Sequence, residues 1–156
     1  MEIINKEQEY YSLLKEVSFG NRDALDYLLI MSKVFRSWDD LYDQDSPVTK
    51  DVANECFSAL AFDLSRNKFF VENRQALEAF VFVAWNAWMD SNEWKNHPEK
   101  IKGQCAWFIR DWCNEIDVLV AWLAGGLDHA REMSLKCRDF YINQLSSRGN
   151  DGFFKE

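Results

Sequence analysis

Only two prolines, Pro47 and Pro98, and six glycines interrupt 156 residues. Breakers this sparse argue against a many-turned β-sandwich and leave long helices as the natural solution. The apolar residues carry the matching period. Leu28, Met31, Phe35, Trp38 and Tyr42 step three and four residues at a time, the stripe of a packed helix. Hydrophobic residues make up 47% of the chain, with seven Trp and twelve Phe, enough to bury a core within one domain.

The punctuation predicts six helices. The first covers about 6–17 and is broken by "FGN". Asn21 is the expected N-cap of a second helix over 22–43, which "DQDSP" ends because Pro47 holds Ser46 extended. Thr49 caps a third, "KDVANECFSALAFDL", with Val52, Cys56, Phe57, Leu60 and Leu64 inward. "SRNKFFVEN" reads as a connector whose Phe69 and Phe70 plug the core, and Asn73 caps a fourth helix running through Trp94. The fifth spans about 101–124 and stops at Gly125-Gly126. The last covers 127–147, and residues 148–156 read as a loose tail. The expected fold is therefore all-α, a single helical bundle forming one domain over 1–147. Trp85, Trp88, Trp107, Trp112 and Trp122 read most simply as core.

Charge and cysteine usage narrow the function classes. A net charge of −8 with no cluster of Lys and Arg disfavours nucleic-acid binding. Cys56, Cys105, Cys113 and Cys137 form no C-x-x-C pair and read as buried free thiols in a reducing compartment. His97 and His129 have no ligand spacing to them, so zinc is not expected. The polar start "MEIINKEQEYY" has no signal-peptide pattern, and the apolar runs "AFVFVAW" and "VLVAWLAGGL" are too short to span a bilayer. A cytoplasmic protein without membrane contact is expected.

Acidic residues form the candidate sites. In "RSWDDLYD", Asp39 and Asp43 lie one turn apart on the flank of the apolar stripe, with Arg36 on the same flank and Asp40 pointing further out. "RDWCNE" repeats the arrangement: Asp111 and Glu115 edge a stripe of Phe108, Trp112, Ile116, Leu119 and Leu123, with Asn114 and Asp117 as neighbours. Asn86, Asp90 and Glu93 make a third, weaker line. Mg²⁺ is commonly held by a few carboxylates plus substrate phosphates, so two such pairs on facing helices suit a diphosphate. The plain alternative is a solvated acidic helix end with structural ion pairs, Asp39 or Asp43 with Arg36 and Asp111 with Arg110.

Two resemblances bear on these motifs. "DDLYD" resembles the D-D-x-x-D motif of class I isoprenoid synthases, and "DWCNE" the second acidic helix of the squalene and phytoene synthase branch. That resemblance implies an isoprenoid-synthase-like fold with Asp39, Asp40 and Asp43 as one set of Mg²⁺ ligands and Asp111 and Glu115 as the other. The chain is about half as long as such enzymes. "WDDLYDQDSPVT", "NKFF" and "FIRDWCNEIDVLVAWLAGG" together are similar to a group of small uncharacterised proteins of tailed bacteriophages and prophages. This second resemblance implies phage origin and expression in the bacterial cytoplasm.

Two functions are consistent with these features. One is a Mg²⁺-dependent enzyme acting on a diphosphate-containing small molecule: Asp39, Asp43, Asp111 and Glu115 ligate the metal, Arg36 and Arg110 neutralise phosphate, and Asp40 and Asn114 assist. The other is a non-enzymatic phage accessory protein that binds a host or virion protein through exposed aromatics and its acidic surface. A homodimer suits a small helical protein this rich in Trp.

Overall fold

The computed structural model describes the backbone of residues 2–44 and 46–147 and the side chains of 6–44 and 46–143. Asp45 and the expected tail over 148–156 lie outside the described residues. The helices are α1 (Glu2–Val17), α2 (Arg22–Asp43), α3 (Lys50–Ser58), the single turn α4 (Leu64–Arg66), α5 (Lys68–Trp94), α6 (Lys100–Arg110) and α7 (Ile116–Ser147). A π-helical turn, Ala59–Asp63, joins α3 to α4, and a 3₁₀ segment, Asp111–Glu115, joins α6 to α7. There is no strand among the described residues, so the all-α class read from the sequence is observed. The chain divides into two compact units between Arg74 and Gln75, inside α5.

In the first unit α1 and α2 bury Leu13, Leu14, Val17, Ala24, Tyr27, Leu28 and Met31 against each other. The connection is tight: Phe19 and Gly20 both take positive φ (50° and 75°). The Asn21 side chain then accepts the Ala24 N–H at 3.1 Å, the cap expected from the sequence. Thr49 caps α3 in the same way, through the Val52 N–H at 3.2 Å. α3 meets α2 where Lys33 pairs with Glu55 and the Cys56 thiol donates to Ser37 Oγ at 3.4 Å.

Three expectations need correction here. The α2 stripe runs inward through Met31 and half-buries Phe35, but its last members, Trp38 and Tyr42, are exposed. In the π-turn the Leu64 N–H reaches back to the Ala59 carbonyl, five residues away. That wider turn alters the phase of the apolar pattern. Leu64 is buried, while Phe57 and Leu60 are exposed rather than inward. Finally, the cap of the next helix is Asn67, not Asn73. Asn67 Oδ1 accepts the Phe70 N–H at 2.8 Å, and its Nδ2 donates to the Asp23 carbonyl at 2.7 Å. One buried amide thus starts α5 and ties it to the first turn of α2, where Tyr27 stacks on Phe70 with centroids 5.8 Å apart.

The second unit buries Leu77, Ala84 and Trp88 of α5 together with Ala106, Ile116, Val120 and Ala121, and Ala130, Met133 and Cys137 complete its core. α7 is not straight. Gly126 sits at φ 82°, ψ −173°, a region open essentially to glycine alone. It separates two helical arms, 116–125 and 127–147, at the place where Gly125-Gly126 was expected to stop a helix. The arms fold back on each other. Asp117 and Tyr141 would lie about 36 Å apart along a continuous helix, yet their side chains hydrogen-bond at 2.8 Å. Gly125 is needed for a different reason. A Cβ there would come within 2.5 Å of the His129 ring, which lies over it.

The 3₁₀ segment corrects the largest misreading. A 3₁₀-helix turns about 120° per residue against about 100° for an α-helix, so five residues shift the phase by about 100°. The stripe of Phe108, Trp112 and Ile116 therefore does not stay on one face. Ile116 is buried, whereas Phe108 is 78% and Trp112 48% exposed. Of the five Trp expected in the core only Trp88 is buried; Trp85, Trp107, Trp112 and Trp122 are exposed. All four cysteines are free thiols, Cys137 buried and the others partly so. No helix among the described residues is long and apolar enough to cross a membrane.

Candidate functional site

The two acidic sets lie in different units. In the first, Asp39, Asp40 and Asp43 occupy the C-terminal end of α2, each half-buried, with Arg36 exposed one turn earlier. The helix closes when Gln44 adopts left-handed geometry and its N–H bonds the Asp40 carbonyl at 3.0 Å. The side chains of this set flank exposed apolar groups, Trp38, Leu41 and Tyr42, rather than a cavity wall.

In the second unit the pair Asp111 and Glu115 was expected one α-helical turn apart. Both fall in the 3₁₀ segment, where residues four apart are turned by about 120° and no longer share a line. Their neighbours are already engaged. Glu115 Oε2 accepts from Arg138 Nη2 at 2.6 Å across the hairpin. Arg110 Nη1 donates to Asn92 Oδ1 at 2.7 Å, and its guanidinium lies 5.3 Å from the centre of the Trp88 ring. Asn114 Oδ1 receives the Cys113 thiol at 3.9 Å. In the third set, Asn86 turns its amide back to the Phe82 carbonyl at 2.8 Å, and Asp90 and Glu93 are exposed.

Mg²⁺ coordination needs several oxygen ligands to converge. Among the described residues no three His, Cys, Asp or Glu side chains gather into a group able to hold a metal ion.

The acid with a perturbed environment is one that sequence reasoning passed over. Asp117, named only as a neighbour of Asn114, is 1% exposed. Burial pushes its carboxyl up to about 7, the Tyr141 hydroxyl donating to Oδ2 opposes that shift, and the nearby Glu115 charge adds to it. A buried carboxyl without a cationic partner is most stable protonated. Asp117 with Tyr141, and Glu115 with Arg138 and Ser134, therefore form a polar seam between the two arms of α7. The signal for it was present only in part: the break at Gly125-Gly126 lays the two arms side by side, but Tyr141 lies farther from the turn than Asp117 does.

One surface groove of about 350 Å³ lies in the first unit, lined by Leu29, Ile30, Lys33, Val34, Glu55 and Cys56 among others. It opens beside the π-turn, and the Lys33–Glu55 pair lies along its wall. None of the acidic candidates read from the sequence lines it. Comparison with protein-family models, with curated proteins and with solved structures returns no match to the chain.

Proposed function

We propose that the chain is a non-enzymatic, protein-binding helical protein of bacteriophage origin that works in the host cytoplasm. The observation that carries this is the exposure of Trp38, Trp85, Trp107, Trp112 and Trp122, five of the seven Trp in the chain. Trp is highly buried on average, and solvent-facing aromatic side chains in this number mark surfaces that a partner covers. The phage assignment rests on the "WDDLYDQDSPVT" and "FIRDWCNE" resemblance alone.

The Mg²⁺-diphosphate reading draws less support. Glu115 and Arg110, a ligand and a phosphate-binding group in that scheme, are held by Arg138 and by Asn92 and Trp88. The 3₁₀ geometry also separates Asp111 from Glu115.

The test is capture by immobilised protein from phage-infected and uninfected bacterial extracts, followed by reconstitution with whatever purified protein is retained. The expected result is a saturable complex that Trp112→Gln and Trp122→Gln weaken at least tenfold while the far-ultraviolet circular dichroism stays unchanged. Failure to bind any protein, including another copy of itself, would sink the reading.

A further inference from the structure

We propose that the outer face of α5, over residues 79–93, is the docking site for a basic amphipathic helix of a partner protein. This deepens the protein-binding reading and rests on it, by naming one surface and the chemistry of what covers it.

The middle of α5 is apolar on every side. Ten of the eleven residues over 79–89 are apolar, Asn86 being the exception. A helix of that composition belongs in an interior. Its inner side is there, through Leu77, Ala84 and Trp88. Its outer side is not: Phe82 is 64% and Val83 53% exposed, and Trp85 is exposed as well. Phe82, Trp85 and Met89 step three and four residues along one stripe, the kind of ridge against which a second helix packs. Asn86 returns its amide to the Phe82 carbonyl at 2.8 Å, which lets a partner cover it at low cost.

Charge selects the occupant. Residues 75–94 carry three acids, Glu78, Asp90 and Glu93, and no Lys, Arg or His. Asp90 and Glu93 are exposed at the C-terminal end of the stripe and make no ion pair among the described residues. They lie at the negative end of the helix dipole, and α5 has no base in its last turn. Arg74, the base ahead of the stretch, is about 80° around the helix from Phe82. Lys95, the base after it, sits beside Gly103 of α6. A second copy docked through this face would set acid against acid, and anionic lipid or nucleic acid would be repelled for the same reason. The complementary occupant is a helix with one apolar face and Lys or Arg along its edges. It would place apolar groups at the centre of the contact and opposite charges at the rim.

Selection from a random 16-residue peptide library on the immobilised full chain tests the proposal. The enriched sequences are expected to combine Lys or Arg with apolar residues at helical spacing. A synthetic copy of one should bind with a dissociation constant that rises at least tenfold from 50 to 500 mM NaCl. Phe82→Gln with Trp85→Gln should weaken binding at least tenfold, and so should Asp90→Lys with Glu93→Lys. The lysine variant guards against a folding artefact, because bases at a helix C-terminus suit the dipole that the native acids oppose. Enrichment of acidic peptides, no enrichment, or a basic peptide indifferent to both pairs of substitutions overturns the proposal. So does a chain that is dimeric in sedimentation and becomes monomeric with Phe82→Gln, since a second copy then covers the face. A peptide released by Trp112→Gln with Trp122→Gln instead overturns this site and leaves the protein-binding reading standing; a chain that retains no peptide here and no protein from extracts overturns both.

Discussion

Replacing Asp117 by Asn should change how stability depends on pH, and the size of the change follows from the geometry. The carboxyl is buried between the arms of α7 and ionises only at about 7, against 3.8 for an exposed aspartate. Unfolded chains lose this proton near pH 4, whereas the folded chain holds it. Between those values the folded state binds more protons, so raising the pH favours unfolding. The stabilising contribution is fully present below about pH 4, declines steadily above it, and is gone once the pH has passed about 7. A gap of about three units at about 1.36 kcal/mol each amounts to roughly 4 kcal/mol. The amide introduced by Asp117→Asn would keep an oxygen for the Tyr141 hydroxyl and would not titrate.

Urea unfolding of wild type and Asp117→Asn at half-unit steps from pH 4 to pH 8, followed by circular dichroism at 222 nm, isolates the effect. The other carboxylates titrate in both proteins and largely cancel in the difference. The variant should gain about 4 kcal/mol relative to wild type across that range. Tyr141→Phe in the wild-type background should move the decline to higher pH, because the removed hydrogen bond favours the ionised form. Parallel pH curves for wild type and Asp117→Asn would refute the argument that this carboxyl is held protonated by burial.

Asn67→Ala should cost about 2 kcal/mol, since it removes the cap of α5 and leaves the Asp23 carbonyl without its amide donor; chemical denaturation measures this, and a loss under about 0.5 kcal/mol would contradict it. Gly126→Ala should cost about 1–3 kcal/mol, because φ 82° with ψ −173° strains any residue with a Cβ. A calorimetric Tm that does not fall would argue against the turn. Millimolar Mg²⁺ with pyrophosphate should leave the Tm unchanged, given that Glu115 and Arg110 are engaged elsewhere. A rise of several degrees would return weight to the diphosphate reading.

Local chemistry was legible in the sequence. Asn21 and Thr49 were readable as caps because capping depends on a few adjacent residues, and Gly125-Gly126 as a break because few other residues reach such dihedrals. Asn67 was missed because "NKFF" looked like a connector, although an Asn just before the first helical residue is an ordinary cap. The errors in burial share one cause. Periodicity was carried straight through "DWCNE" and through "SALAFD", but the first segment is 3₁₀ and the second π, and each resets the helical phase. Phe108, Trp112, Phe57 and Leu60 turned outward as a result. The acidic candidates suffered from the same slip, since the pairing of Asp111 with Glu115 assumed an α-helical turn. Asp117 was legible only through the hairpin that brings Tyr141 to it, a contact spanning 24 residues.

The α7 hairpin also fixes how the gene can change in length. Its reversal is concentrated at Gly126, and its two arms are held in register by Glu115 with Arg138 and by Asp117 with Tyr141. Adding one residue within either arm would rotate everything beyond it by about 100° and carry one member of each pair off the shared face. Seven added residues, about two turns, come back to the same face but slide it roughly 10 Å along the axis, so they too part the pairs unless the other arm grows by the same amount. Length in this stretch is thus constrained in both arms at once, and indels there should be tolerated as matched changes on the two sides of Gly126 or not at all.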